Sequence, residues 1–255
     1  MKFSPSVRAV FGKSDITINE MIQKAYALGY STIEFWKWWE EEDLDEIRSL
    51  VMSLNMNVGS VCTKFITLTD PAFRDEYLRG LQESIEAAKR LDCKFLISQT
   101  GNERPGIPRE EQAQSLVEGL RATVPYLEQA GITLVVEPLN ILVNHKGYYL
   151  ETSREAFQII DQVGSPNVKI LYDVYHQQVT EGNLIMNITD NIDKIGYFHI
   201  ADHPGRHEIG TGEINFRNVL DAIRKTGFDG YIGLEYFPIE DPEEGLKTFL
   251  ANFAV

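Results

Sequence analysis

Short apolar runs rich in β-branched and aromatic residues alternate with longer amphipathic stretches from one end of the chain to the other. The runs lie at 3–11, 32–36, 58–62, 95–99, 133–137, 169–173, 197–200 and 231–235. Their composition and the turn residues around them predict strands. The stretches between them carry helix signals. Residues 18–28 place apolar side chains at helical spacing and stop at Gly29. Residues 75–91 continue the pattern, with Leu78, Leu81, Ile85 and Ala88 on one face. Residues 109–130 open with acids and close at Gly131. Thr152 and Glu155 read as a capping box, and the helix they start stops at Gly164 before Pro166. Asp241 followed by Pro242 reads as a further helix start.

Strand and helix alternating eight times predict an α/β fold, a (β/α)8 TIM barrel, as one domain over 1–255. The main competitor, a doubly wound sheet, usually carries a glycine-rich first turn. Gly210-Thr211-Gly212 lacks a third spaced glycine and does not join a strand to a helix. Phe11-Gly12-Lys13-Ser14 ends like a phosphate loop, but Val7 stands where its first glycine belongs.

Composition narrows the function classes. With 255 residues, 43% hydrophobic and 24% charged, the chain has the material for a large core. Its net charge of −14 opposes nucleic-acid binding, which needs a basic footprint. Cys62 and Cys93 both sit in or beside strand-like runs and read as buried reduced thiols rather than a disulfide. The N-terminal residues lack a signal-peptide core, and no apolar run has transmembrane length. A cytoplasmic protein with no membrane partner is therefore expected. Association into homo-oligomers is left open.

The chemistry is expected where the strands end, because barrels of this kind build their sites at the C-terminal strand ends. The last four runs finish with Glu137, Asp173, His199 and Glu235. Carboxylates that follow buried apolar runs are costly unless they are paired or hold a cation. Three carboxylates and an imidazole form a hard donor set, suited to one Mn²⁺ or Mg²⁺ ion, with Co²⁺ a further option. His199, His203 and His207 recur every fourth residue, yet Pro204-Gly205 rules out a helical ladder. His199 then ends a strand, and His203 and His207 ride on the following loop. The run 34–39 holds all three tryptophans. It reads either as rim packing or, at Trp36, as an aromatic wall for a sugar face. Lys37 and Lys64 are candidate contacts for an anionic substrate.

The motifs Glu137-Pro138-Leu139-Asn140, Tyr172-Asp173-Val174-Tyr175-His176, Ala201-Asp202-His203-Pro204-Gly205-Arg206, Gly210-Thr211-Gly212-Glu213-Ile214-Asn215 and Gly233-Leu234-Glu235-Tyr236 resemble, in that order, the hydroxypyruvate isomerase family. That family lies within the sugar isomerase and epimerase barrels, which include the ketose 3-epimerases and, more distantly, endonuclease IV. The resemblance implies that Glu137, Asp173, His199 and Glu235 are metal ligands and that Glu137 and Glu235 move the proton. It also implies that His176 and Arg206 hold substrate oxygens. Two departures stand out. Hydroxypyruvate isomerases usually carry Gln where this chain has His199. The further glutamate that epimerases carry after Glu-Pro-Leu-Asn is missing from Ile141-Leu142-Val143-Asn144-His145.

The reaction implied is an aldose–ketose isomerisation of a small hydroxy-keto acid or sugar through an enediolate. A ketose 3-epimerase or 3-keto-sugar lyase on the same metal site is the alternative. An endonuclease fits an acidic chain poorly, and retention of both glutamates opposes a non-catalytic binder.

Overall fold

The computed structural model describes residues 1–41 and 43–253. The described residues contain nine parallel strands: β1 (Lys2–Pro5), β2 (Thr32–Ile33), β3 (Asn57–Val58), β4 (Val61–Cys62), β5 (Phe95–Ser98), β6 (Thr133–Val136), β7 (Val168–Asp173), β8 (Ile195–Ile200) and β9 (Tyr231–Leu234). Seven pair in the order β1-β9-β8-β7-β6-β5-β4, and β2 pairs with β3. Strands β3 and β4 are two halves of the third run, separated at Gly59-Ser60.

Backbone hydrogen bonds at Glu34 close the ring. Its N–H donates to Pro5 O at 3.0 Å, and its carbonyl accepts from Val7 N at 3.0 Å. The eight predicted strand positions thus form a TIM barrel, in which no edge is left open to pair with another chain.

Side chains alternate between the two faces of each strand. Cys62, Ile97, Val135, Leu171 and Tyr197 point inward and form their own apolar cluster inside the barrel. Leu134, Val136, Ile170, Tyr172 and Phe198 point outward into the larger core, beneath helices that supply Leu81, Leu116, Ile160 and Ile223. The same alternation decides the site. Two residues beyond inward Val135, Leu171 and Tyr197 come Glu137, Asp173 and His199, and Glu235 follows inward Gly233 in the same way.

The first predicted strand is shorter than expected. It stops at Pro5, and Val7–Val10 is a helical turn. Pairing still reaches Ser6, whose N–H donates to Leu234 O at 3.0 Å, before the helical turn takes over. The predicted helices appear as Ile18–Ala27, Arg74–Leu91, Arg109–Ala130, Ser153–Val163 and Pro242–Phe253. Helices at Leu44–Ser53, Val174–Thr180, Leu184–Asp190 and Phe216–Lys225 add to them. The box expected at Thr152 is only half formed. Thr152 accepts from Glu155 N at 3.2 Å, but the Glu155 carboxylate pairs with Arg109 instead. Both arms of a capping box are present at Thr17 and Glu20. Cys62 and Cys93 are free and buried. No helix among the described residues is long and apolar enough to cross a membrane.

Candidate metal centre and active-site cavity

Strand register sets the three inward acids and the imidazole side by side. Asp173 pairs with His199 across β7 and β8, and His199 pairs with Gly233 across β8 and β9. Glu137, Asp173, His199 and Glu235 each offer one ligand atom, and these atoms all lie within 4.8 Å of one another. All four residues are buried.

Each of the four is held by its own neighbours. Asp173 Oδ1 caps the helix Val174–Thr180, accepting from Tyr175 N at 2.8 Å and His176 N at 3.2 Å. Its Oδ2 has no hydrogen-bond partner and faces the site. His199 Nδ1 stands 3.0 Å from Glu235 Oε2 and 3.6 Å from Glu137 Oε1. Glu235 Oε1 accepts the Trp36 indole N–H at 2.6 Å, and Oε2 accepts from Arg206. Arg206 also lies 3.5 Å from Asp173 Oδ2.

These environments drive the two glutamates apart. Burial pushes Glu137 up to about 7, against the lowering contact with His199. Burial would raise Glu235 too, but the Arg206 and His199 charges outweigh it and hold that carboxyl well below the usual range. Such splitting of a pair of carboxylates separates a proton carrier from a group that stays ionised.

The residues present fit a divalent cation. Glu137 Oε1, Asp173 Oδ2 and His199 Nδ1 are buried polar atoms without a hydrogen-bond partner, and they converge on one point. Buried polar atoms are seldom left so. Carboxylate oxygens with one imidazole are a donor set suited to a divalent cation.

A cavity of about 310 Å³ opens above this cluster, lined in part by Trp36, Cys62, Phe65, Leu139, His145 and Phe237. Trp36 thus reaches the site, with its N–H committed to Glu235. Trp38 donates to Cys62 O at 3.1 Å, and Trp39 packs edge-on against Phe65, so they shape the rim. His176 is fully buried beside Asp173, and Asn140 donates to its Nδ1 from both the backbone (3.2 Å) and the side chain (2.6 Å). Burial, then Arg206, keeps its ring well below the usual histidine range, hence neutral, with the proton on Nε2. That N–H makes no hydrogen bond among the described residues, and Asp173 Oδ2 lies 3.6 Å from it. The structure does not bring Lys64 into the cavity. It pairs with Glu83 and lies 5.7 Å from the Trp38 ring. Lys37 lines the cavity but pairs with Glu40 at 2.8 Å.

The loop after β8 is tied by Asp202. Its carboxylate accepts from His203 N at 2.9 Å, Gly210 N at 2.8 Å and Ile214 N at 3.1 Å. A Cβ on Gly212 would lie 2.1 Å from His203 O, so the knot requires glycine there. The two loop motifs therefore fasten Arg206 over the centre. His207 Nδ1 meets Phe237 O at 2.7 Å, and the His203 ring packs 5.7 Å from Tyr175, so neither joins the ligand set.

Sequence reasoning passed over Glu34 and His145. His145 lines the cavity in the stretch where the epimerase glutamate is missing. Glu34 lies under the centre, with Oε1 2.9 Å from His199 Nε2. Its signal was there to read: a carboxylate directly after the buried run Thr32-Ile33.

The family model described as xylose isomerase-like TIM barrel matches residues 22–252. The chain is 32% identical over 255 residues to a hydroxypyruvate isomerase of Escherichia coli (strain K12), covering 97% of each. It is 26% identical over 252 residues to a 2-oxo-tetronate isomerase of Pectobacterium atrosepticum, covering 96% of this chain and 95% of that one. A solved structure of an AP endonuclease, family 2, from Brucella melitensis superposes with a TM-score of 0.92 at 25% identity, covering 98% of each chain.

Proposed function

The chain belongs to the xylose isomerase-like TIM barrel family, and on that premise we propose that it is a divalent-metal-dependent isomerase of a small hydroxy-keto acid or sugar. The carrying observation is the convergence of Glu137, Asp173, His199 and Glu235 within 4.8 Å at the mouth of the barrel. The relatives named hydroxypyruvate isomerase and 2-oxo-tetronate isomerase support a short keto acid as the substrate class.

Glu137, Asp173, His199 and Glu235 would hold the ion. When bound, it supplies the positive charge that stabilises an enediolate. Glu137 takes the carbon-bound proton, and that proton or one exchanged from water returns to the neighbouring carbon as the hydroxyl proton passes to the former carbonyl oxygen. Glu235 stays ionised under Arg206 and His199. The free N–H of His176 donates to a substrate oxygen, and the Arg206 guanidinium lies within reach of a carboxylate or hydroxyl. Trp36, Phe65 and Phe237 line the cavity around the reacting carbon and keep water from it.

A second reading rests on His199, which stands where hydroxypyruvate isomerases usually carry Gln. With both glutamates flanking the site, a proton removed by one can be delivered by the other to the opposite face of the same carbon, which is a 3-epimerisation.

Solvent exchange tests both. The Mg²⁺-loaded protein is incubated in D₂O with hydroxypyruvate, 2-keto-tetronate, fructose and tagatose, and deuterium is followed by NMR. Deuterium in a short keto acid, with aldehyde forming, is the expected result. Entry at C3 of a ketose moves the assignment to epimerase. Exchange that survives EDTA, or exchange with none of the four, overturns the proposal.

A further inference from the structure

Beneath the ligand cluster lies a second polar group that the proposed chemistry does not use. Glu34 leaves the backbone at the point where the barrel closes, and its side chain turns inward, 2% exposed. Oε2 accepts from Tyr197 OH at 2.5 Å and from Ser60 Oγ at 3.3 Å. Oε1 stands 2.9 Å from His199 Nε2 without the alignment of a hydrogen bond, and neither of these two atoms makes a hydrogen bond to any other described group. The opposite ring nitrogen, Nδ1, faces Glu137 and Glu235. The imidazole is thus suspended between a carboxylate below and the three ligand carboxylates above.

The floor is cut to admit this pair. A Cβ on Gly233 would lie 2.5 Å from His199 Cδ2 and 2.6 and 2.8 Å from the two Glu34 carboxylate oxygens. The glycine lies in β9, directly beside His199 in register, where a side chain would push the ring and carboxylate apart.

We propose that Glu34 is the positioning residue of the metal centre: its carboxylate accepts the Nε2–H of His199 and so presents the Nδ1 lone pair to the cation. A histidine ligand needs one ring nitrogen free of its proton and the other anchored, and a carboxylate on the far nitrogen does both while raising ligand basicity. Tyr197 and Ser60 hold the carboxylate in turn, so ring orientation is fixed from the barrel interior before any ion arrives. This inference rests on the metal reading proposed above.

The test uses Co²⁺ alone as probe, with no substrate. Co²⁺ affinity is measured by equilibrium dialysis for the wild type, Glu34→Gln, Glu34→Ala and Gly233→Ala, with circular dichroism to confirm folding. In parallel, the ¹H spectrum of the Co²⁺-loaded wild type reports the hyperfine-shifted, exchangeable ring N–H of a bound histidine. The expected spectrum has one such N–H, on Nε2 and slow to exchange. Replacing such an anchor costs about 10- to 100-fold in metal affinity. Glu34→Ala should lie near the upper end. Glu34→Gln, which keeps an acceptor oxygen, should recover part of the loss. Gly233→Ala should weaken binding with Glu34 still present.

Folded Glu34 variants that bind Co²⁺ within about twofold of the wild type overturn the proposal. So does a wild-type spectrum with the ring proton on Nδ1, or with no slowly exchanging ring N–H. That spectrum decides the matter even if no variant folds. A wild type that takes up no Co²⁺ brings down the metal reading itself, and this inference with it. Normal uptake that is indifferent to Glu34 brings down only this one.

Discussion

Trp36 donates its indole N–H to Glu235 Oε1 at 2.6 Å, while Arg206 occupies the other oxygen of the same carboxylate. An aromatic residue from the second strand position therefore orients an acid on the last, across the barrel mouth. Trp36→Phe keeps the ring and removes the donor. A hydrogen bond to a charged group contributes about 1.5–3 kcal/mol. The expected result is a fall in kcat of at least about tenfold, with KM changed less. Steady-state kinetics on the exchange-active substrate measures it, and an unchanged kcat would show that Glu235 is oriented by Arg206 alone.

Arg206 and the three carboxylates form a buried charged cluster, and removing one partner leaves the others uncompensated. Arg206→Met should destabilise the metal-free protein by about 3–5 kcal/mol. Mg²⁺ should recover a larger share of stability in the variant than in the wild type, because a bound cation replaces the missing charge. Urea unfolding with EDTA and then with Mg²⁺ tests this. Equal metal dependence in the two proteins would contradict it.

His145 lines the cavity, and no ring hydrogen bond ties it down among the described residues, although its ring lies 5.2 Å from that of His176. Burial and the Arg206 charge lower its proton affinity. A neutral imidazole here fits contact with substrate rather than support of the fold. His145→Ala should raise KM several-fold and leave the melting temperature nearly unchanged. A large loss of stability with normal KM would assign it to packing instead.

Both thiols are buried, and burial pushes Cys93 up to about 12 and raises Cys62 as well. The unfolded chain loses these protons near about 8.5. Between those values the native state binds more protons than the unfolded state, so stability falls as pH rises. This contribution is fully present at neutral pH. Cys93 of the native protein should not react with a thiol reagent at pH 8, and both cysteines should react once it is unfolded. Rapid labelling of Cys93 in the folded protein would mean that the core around it opens.

The barrel was legible because its signal is local and repeated. Apolar runs bounded by turn residues and amphipathic stretches with period 3.6 recur eight times, and the last four runs end in Glu137, Asp173, His199 and Glu235. A carboxylate after a buried run is conspicuous in one dimension because burying it alone is so unfavourable. That one rule picked out the four residues whose side chains come within 4.8 Å of one another.

Tertiary structure decided everything that depends on which chain segments meet. Val174–Thr180 was not legible as a helix because its cap is Asp173, the last residue of the preceding strand. The role of the Gly210-Thr211-Gly212 motif appears only when Asp202 is seen bonding its backbone. Lys64, a reasonable contact on paper, turns to Glu83 because that acid lies beside it in the fold. Glu34 and His199 are separated by most of the barrel in sequence, and only ring closure sets them 2.9 Å apart. Periodicity fixes which face a side chain takes, since it follows from the geometry of one strand. Partners across a barrel are fixed by closure and register, which are properties of all the strands together.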